Sequence, residues 1–200
     1  MASRLFQAYS GALARRPLLV QSATAATLYA VGDVIAQGTS SAANPGKAPR
    51  WDWERTMRMT AIGGFALGPT MAIWYRFLQT RIQLASHTRS VLARVLADQL
   101  VFAPASIVGL YYLKELLQPK SSSLREKLSV AQNNLEHSFS QVLIRNYTIW
   151  PAVSYLNFFY VPLQYRLLVS TTVGVFWSAY LSFAVNQLEY NIEETARVVV

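Results

Sequence analysis

Long apolar runs, each flanked by charged residues, dominate the pattern of the chain. The purest run covers residues 167–185 and contains no charged residue. A helix of that length, at about 1.5 Å per residue, nearly crosses a hydrocarbon core of about 30 Å. Three further runs, at 18–37, 59–77 and 95–113, each carry one charged residue (Asp33, Arg76 and Asp98). A soluble domain would need more polar surface to cover four such helices, so the pattern predicts an all-α membrane protein with a four-helix transmembrane bundle.

The segment 146–163 is uncharged but contains two prolines, Pro151 and Pro162, among many aromatic residues. Proline interrupts helical hydrogen bonding, and tryptophan and tyrosine favour the membrane interface. We therefore expect a proline-broken, partly interfacial helix before the last span. A fifth true span is the alternative.

Residues 121–145 show apolar positions at helical spacing, with charged residues between them. Ser123 and Glu126 have the spacing of a capping box. The pattern predicts an amphipathic helix that either lies in the membrane plane or packs on the bundle as a surface helix. The apolar positions are Leu124, Leu128, Ala131, Leu135, Phe139 and Val142.

The two ends of the chain differ from its middle in composition. Residues 1–17 are basic, and the absence of acids from the first 32 residues is typical of a mitochondrial import signal or of an interfacial helix with basic anchors. Residues 38–49 are rich in Ser, Ala, Gly and Pro and predict a flexible connection. The predicted organisation is thus a targeting or interfacial segment at 1–17, a single transmembrane domain at 18–187 and a polar tail at 188–200.

Composition narrows the class of partner. The chain is 52% hydrophobic and 14% charged, with a formal net charge of +8 and no cysteine. On such an apolar chain a basic excess favours contact with anionic lipid, and the scattered Lys and Arg do not form a nucleic-acid patch. We expect membrane lipid and small solutes or ions as partners, with a homo-oligomer left open and no nucleic acid.

Small residues recur four positions apart in every predicted span, which favours close packing of helices in lipid. Gly64 and Gly68 form a GxxxG pair, and Gly174 belongs to a row in the last span. Pro69 and Pro104 fall inside the second and third spans and predict kinks, because each removes a helical hydrogen bond.

Two acids at depth are the most informative polar residues. A carboxylate in a span costs at least about 2.5–3.5 kcal/mol, so Asp33 and Asp98 should face protein or water. They either line a water-filled path or belong to a structural network, and residue types alone do not separate these readings. The expected arginine partners are Arg58, Arg76, Arg145 and Arg166. The expected amides are Gln37, Gln99, Asn146 and Asn157.

Catalytic and cofactor motifs are missing from the sequence. We find no HExxH, nucleophile elbow, phosphate-binding glycine loop or dinucleotide fingerprint, and no close cluster of His, Asp and Glu for a metal. The sequence therefore predicts a protein that is not an enzyme, with no metal and no cofactor.

The motifs jointly resemble the Mpv/PMP family of mitochondrial and peroxisomal membrane proteins, over roughly residues 5–187. The first predicted span ends in GDVIAQ, Asp98-Gln99 with Pro104 is similar to D-Q-x-x-x-x-P, and Trp177, Tyr180 and Ser182 are similar to W-x-x-Y-L-S. Further matching positions are Arg55, Arg58, Gly64, Gly68-Pro69, Trp74-Tyr75, Asn146-Tyr147, Trp150-Pro151, Asn157-Phe158, Val161-Pro162 and Tyr165-Arg166. Two positions depart from the pattern, since Ala72 stands where many relatives have His and Ser154 where many have Gln.

The resemblance implies four transmembrane helices in the mitochondrial inner membrane, with the peroxisomal membrane as the alternative. It further implies a channel for ions or small metabolites, linked to membrane potential, stress response and mitochondrial DNA maintenance. If Asp33 and Asp98 line a path, a pair of carboxylates favours cations. The competing hypotheses are a non-conducting scaffold held by the same acids and, least favoured, a membrane enzyme.

Overall fold

The computed structural model describes residues 2–42, 51–119 and 123–180, and every regular element among them is helical. There are six long helices in these ranges. They are α1 (Ala2–Arg15), α2 (Pro17–Ala42), α3 (53–81), α4 (His87–Leu116), α5 (Leu124–Tyr160) and α6 (from 166 to the limit of the described chain at 180). A short 3₁₀ turn, Leu163–Tyr165, joins α5 to α6.

Helices α2 to α6 alternate in direction along one bundle. Arg94 near the start of α4 donates to the carbonyl of Ile82 at the end of α3 at 3.1 and 2.8 Å. Lys127 near the start of α5 reaches the carbonyl of Gln118, just after α4, at 2.6 Å. Each turn therefore reverses the chain. We call the end where α4 finishes the Lys114 end, and the end where α6 begins the Arg166 end.

Pro69 in α3 and Pro104 in α4 each follow a stretch of π-helix. Ile62–Leu67 lies before Gly68-Pro69 in α3, and Asp98–Phe102 lies before Ala103-Pro104 in α4. The amide of Ala103 bonds to the carbonyl of Asp98, five residues back. With the same offset, the backbone of residue 104 would donate to the carbonyl of Gln99, but proline has no N–H. This carbonyl instead accepts a hydrogen bond from the Tyr147 hydroxyl of α5 at 2.9 Å.

Helix α5 corrects the prediction of a proline-broken helix, and it decides between the two readings of 121–145 in favour of a helix packed on the bundle. The predicted surface helix 121–145 and the predicted broken segment after it form one continuous helix of 37 residues. Pro151 lies inside this helix without ending it, and Pro162 lies in the turn beyond it. The helix continues past Pro151 because Ser154, Asn157 and other side chains of its next turns are buried against neighbouring helices. Its first half packs along α4, so it is not a separate interfacial element.

Two local predictions on this part of the chain have clear outcomes. The capping box at the start of α5 is confirmed, since Ser123 and Glu126 exchange hydrogen bonds of 2.8 and 3.2 Å. The flexible connection predicted at 38–49 begins too early, because α2 continues to Ala42. Residues 43–49, 181–187 and the predicted tail 188–200 lie outside the described residues.

Apolar side chains on the outer surface indicate immersion in lipid. Phe65, in the middle of α3, is 89% exposed. Leu92, Leu96 and Leu100 form an exposed stripe along α4. Two described helices, Pro17–Thr39 and His87–Leu116, are long and apolar enough to cross a membrane. Water would not favour such an outer surface, whereas hydrocarbon would.

The tightest packing lies in the half of the bundle toward the Arg166 end. Tyr75, Leu78, Val91, Phe158 and Leu167 are all almost completely buried there. The rings of Tyr75 and Phe158 meet edge to face with centroids 5.5 Å apart. The other half, toward the Lys114 end, contains the cavity described next.

The basic N-terminal segment forms α1, which folds back onto α2. Tyr9 shares a hydrogen bond of 3.1 Å with Thr24. Ser10 contacts the Tyr165 hydroxyl at 2.7 Å, and the Phe6 ring stacks on the same tyrosine. The segment therefore lies at the Arg166 end of the bundle.

Candidate functional site: a polar cavity inside the bundle

A cavity of about 490 Å³ lies between α2, α3, α4, α5 and α6. Its polar wall includes both predicted acids together with two cations, and its apolar wall is formed by leucine, isoleucine, methionine and aromatic side chains. The polar lining residues include Asp33, Arg55, Asp98, Lys114, Asn146 and Ser170.

The cavity has an open end and a closed end. Lys114 is exposed, and the side chain of Arg55 is 44% exposed. At the other end the lining residues Tyr75, Asp98 and Ser170 are all at least nine-tenths buried. The cavity thus opens at the Lys114 end and stops against the packed half of the bundle.

Asp33 is held by one arginine and two neutral donors. Its Oδ1 accepts from Arg55 Nε at 2.8 Å. Its Oδ2 accepts from the Thr56 hydroxyl at 2.7 Å and from Gln37 Nε2 at 2.6 Å. Gln37 in turn accepts from the backbone N–H of Asp52 at 2.8 Å, so α2 is tied to the start of α3.

The partner of Asp33 corrects the sequence-based expectation. Arg58 was among the arginines expected to pair with the acids at depth, but it lies 3.7 Å from Asp52 and 3.5 Å from Glu54 at the surface. Residues three apart on a helix differ in direction by about 60°. Arg55 therefore faces α2, whereas Arg58 faces the first turn of its own helix.

Asp98 is held by neutral donors alone. Its Oδ1 accepts from the indole of Trp74 at 3.0 Å. Its Oδ2 accepts from the Ser154 hydroxyl at 2.8 Å and from Gln99 Nε2 at 3.1 Å. No arginine or lysine pairs with this acid among the described residues, which corrects the expectation that an arginine would. The three donors come from α3, α4 and α5, so the carboxylate joins three helices.

Asn157 and Arg166 lie beyond the closed end of the cavity. Asn157 Nδ2 donates to the Ser170 hydroxyl at 2.8 Å and to the carbonyl of Arg166 at 3.0 Å. Ser170 also shares a hydrogen bond of 2.9 Å with the Tyr75 hydroxyl. We call Tyr75, Ser170 and Asn157 the seal, because they close the cavity toward the Arg166 end.

Arg166 completes the end of α5. Its guanidinium donates to the carbonyls of Val161 at 3.0 Å and Phe158 at 3.2 Å, and to Gln79 Oε1 at 2.9 Å. The last carbonyls of a helix lack partners and carry partial negative charge, which a buried cation there offsets. Arg166 thus fixes the turn between α5 and α6 and does not pair with either acid.

Small residues bring α2 and α3 into close approach. A Cβ added at Gly64 would lie 3.0 Å from the Cβ of Ala26. One added at Gly68 would lie 2.9 Å from the Cβ of Ala25. At Gly63, which the sequence analysis did not single out, an added Cβ would lie 2.8 Å from the Tyr29 side chain. Gly174 lies on the cavity wall, where an added Cβ would meet only Trp150 at 3.8 Å.

Comparison with known proteins decides the family. The model of the Mpv17 / PMP22 family matches residues 123–182. Protein SYM1 of Gibberella zeae is 37% identical over 180 residues, which cover 90% of this chain and 96% of that relative. The mitochondrial inner membrane protein Mpv17 of Danio rerio is 33% identical over 184 residues, covering 92% and 98%. The chain belongs to the Mpv17 / PMP22 family.

Membership of the Mpv17 / PMP22 family confirms the resemblance drawn from the motifs. The mitochondrial inner membrane protein Mpv17 of Xenopus laevis is also similar, at 34% identity over 183 residues. No solved structure shows a significant match. The predicted location is confirmed by these relatives, and the protein is one of the mitochondrial inner membrane.

The two departures from the Mpv17 / PMP22 pattern have different surroundings. Ala72 belongs to the buried apolar cluster of the packed half. Ser154 donates to Asp98 and is one of the donors that hold the acid. A serine thus supplies one hydrogen bond to the deep carboxylate at the position where many relatives carry a longer amide.

Several contributors to the site were missed by sequence reasoning, among them Thr56, which donates to Asp33. Trp74 and Tyr75 were noted only as part of a motif, although both hydrogen-bond at the inner end of the cavity. Lys114 lies just beyond the predicted third span and was not considered. Trp74 and Asp98 lie on different helices, so no spacing pattern in the sequence links them. Predicting such contacts requires knowing how each helix is rotated about its own axis. Within the described residues no group of three or more metal-ligating side chains occurs.

Proposed function

We propose that this chain forms a channel for ions or small metabolites across the mitochondrial inner membrane. The observation that carries the proposal is the cavity between five helices, with Asp98 at its inner end and charged residues at its open end. A bundle that served only as an anchor would gain dispersion and packing by filling that space.

In the proposed arrangement the four predicted spans are α2, α3, α4 and α6, and the second half of α5 crosses beside them as a fifth. Support comes from the alternating directions of the helices and from the contacts of α5 with Asp98 and Gln99 at mid-bundle. The seal must open for a solute to pass, so this conformation corresponds to a closed state. Links to membrane potential, stress response and mitochondrial DNA maintenance would then follow indirectly from solute flux.

The channel is tested by reconstituting the purified protein in planar bilayers. We expect discrete conductance that changes in Asp98→Asn, because the substitution keeps the shape but removes the charge at the inner end of the cavity. Glu136→Gln on the exposed face of α5 is the matched control and should leave conductance unchanged. Absence of conductance would overturn the channel, and equal conductance in all three proteins would show that the conducting path does not pass Asp98.

A scaffold without conductance is the second candidate, because both acids are saturated by donors within the protein. This candidate predicts that Asp98→Asn loses folded protein before any transport property changes. Normal abundance with altered flux would exclude it. The proposal assigns no catalysis, metal or cofactor to the cavity, and it names membrane lipid and the translocated solute as partners, with self-association left open.

A further inference from the structure

The charges on the cavity wall do not match a simple cation path. Asp33 is already paired with Arg55. Asp98 lies 16 residues before Lys114 on α4, which at about 1.5 Å per residue separates their backbones by about 24 Å. The open end is therefore lined by Arg55, Lys114 and Asp33, and Asp98 lies far from it.

Both cations at the open end have unused hydrogen-bond donors. Arg55 uses only its side-chain Nε, on Asp33, and neither of its terminal nitrogens bonds to a described residue. Lys114 Nζ has no hydrogen bond or ion pair with any residue in the described ranges. Glu115 is the next residue along α4 but does not line the cavity.

Arg55 and Lys114 lie on the wall of the same cavity. Lys114 lies within electrostatic reach of Arg55, Asp33 and its own neighbour Glu115. Asp33 fixes the direction of the Arg55 guanidinium through Nε, and this leaves the outer edge of the planar group free. A free guanidinium edge beside a lysine is suited to a carboxylate or phosphate group, since each bond is charge-assisted.

We propose that Arg55 and Lys114 form a binding site for the anionic group of a small organic solute at the open end of the cavity. Asp33 is a positioning residue that aims Arg55. The site makes organic anions, rather than cations, the preferred solutes of the proposed channel, and in that respect the inference rests on the proposed function. A carboxylate and a phosphate ester share this chemistry, so the experiment must separate them.

Binding is measured first, on full-length protein in detergent, by thermal melting in potassium succinate, potassium phosphate or potassium chloride at equal ionic strength. We expect a saturable rise in Tm with succinate or phosphate beyond that in chloride, and the larger rise identifies the preferred group. Lys114→Gln should weaken the apparent affinity by about tenfold, the equivalent of one charge-assisted hydrogen bond. Arg125→Gln, which removes an exposed charge from the start of α5 outside the cavity, should not.

Selectivity is measured second, from the reversal potential of the reconstituted protein in a gradient of potassium succinate. Lys114→Gln should lower the anion-to-cation permeability ratio at least about twofold. No anion-specific rise in Tm, or equal affinity in Lys114→Gln and wild type, would overturn the site. Conductance with unchanged selectivity would overturn its role in permeation. Anion binding lost in Lys114→Gln, without any conductance, would leave the site standing and remove the channel.

Discussion

Asp33 and Asp98 are the same residue type at comparable burial, yet their surroundings differ. Asp33 is neutralised by Arg55, whereas Asp98 has only the dipoles of Trp74, Ser154 and Gln99. If a buried carboxylate loses one hydrogen-bond donor, the oxygen that accepted from it remains buried without that partner, and this lowers the free energy of unfolding. We therefore make a separate prediction for each acid.

Trp74→Phe should destabilise the protein by about 1–3 kcal/mol, because it removes a donor from Asp98 and leaves a buried lone pair without a partner. The aromatic stack of this side chain with Phe77 and Phe102 would be largely kept. Thermal or denaturant unfolding in detergent measures the loss. Trp53→Phe, at an exposed position on the same helix, is the control. Equal stability of Trp74→Phe and wild type would contradict the account of Asp98.

Asp33→Asn should cost about 1–3 kcal/mol, less than the 3–5 kcal/mol of a fully buried pair, because Arg55 is 44% exposed and partly hydrated. The substitution also frees Arg55 to turn away from the cavity. Glu54→Gln, which removes an exposed acid from the first turn of α3, should change stability by less than about 0.5 kcal/mol. A larger loss in the control than in Asp33→Asn would be incompatible with the network.

At this scale six of the eight polar candidates are buried as predicted, whereas Arg58 and Asn146 are only partly buried, and the sequence did not predict which residues would pair. Asp33, Gln37, Asp98, Gln99, Asn157 and Arg166 are all buried, as expected of polar groups in apolar helices. The expected partner Arg58 was wrong, because Arg55, three residues earlier on the same helix, pairs with Asp33. Pairing depends on the rotation of one helix against another, which is set by packing over the whole bundle.

At the scale of the helices, the approach of α3 to α2 is set by glycines next to a π-helical segment. A Cβ at Gly68 would lie 2.7 Å from the carbonyl oxygen of Gly63 as well as 2.9 Å from the Ala25 Cβ. Neither neighbour is the end of a flexible side chain. The two helices would have to move apart to admit it.

Gly68→Ala should therefore destabilise the protein by about 1–3 kcal/mol through overpacking. Gly109→Ala is a matched control on α4, because an added Cβ there meets nothing within 4 Å. It should be neutral or stabilising by about 0.5–1 kcal/mol, since alanine loses less backbone entropy in a helix. Melting in detergent compares the two, and equal shifts would argue against the packing of α2 on α3.

Prolines show how far the elements could be predicted from sequence. Each removes one backbone donor, and the sequence alone predicted kinks at Pro69 and Pro104 and a break at Pro151. In the structure π-helical offsets precede the first two, and α5 continues through the third. The outcome depends on partners such as Tyr147, which satisfies the carbonyl of Gln99 from another helix.

At the scale of the whole molecule, the five helices α2 to α6 alternate in direction, so the chain enters the bundle at one end and its last helix runs toward the other. The α1 segment lies at the Arg166 end, and α6 runs from that end toward the Lys114 end. We expect epitope tags at the N- and C-termini to differ in protease accessibility in intact mitoplasts. Equal accessibility would contradict the fifth crossing and favour four spans.

The cavity itself could not be predicted from the sequence. Acids at depth indicated a polar interior but did not distinguish a path from a network. In the structure both acids accept hydrogen bonds from protein donors, and both line a cavity that is closed at one end. Which end opens depends on where Lys114 and the packed aromatic half lie. These positions follow from tertiary packing and not from any local pattern.

The central claim is that solutes pass through this cavity, and the absence of cysteine from the chain allows a direct measurement. Ser106→Cys places a thiol on the cavity wall, and Ser129→Cys places one on the exposed face of α5. Current through each reconstituted variant is recorded before and after a charged methanethiosulfonate reagent is added. We predict that modification reduces the current of Ser106→Cys and leaves that of Ser129→Cys unchanged. An unchanged current in Ser106→Cys, with modification verified by mass, would contradict the claim.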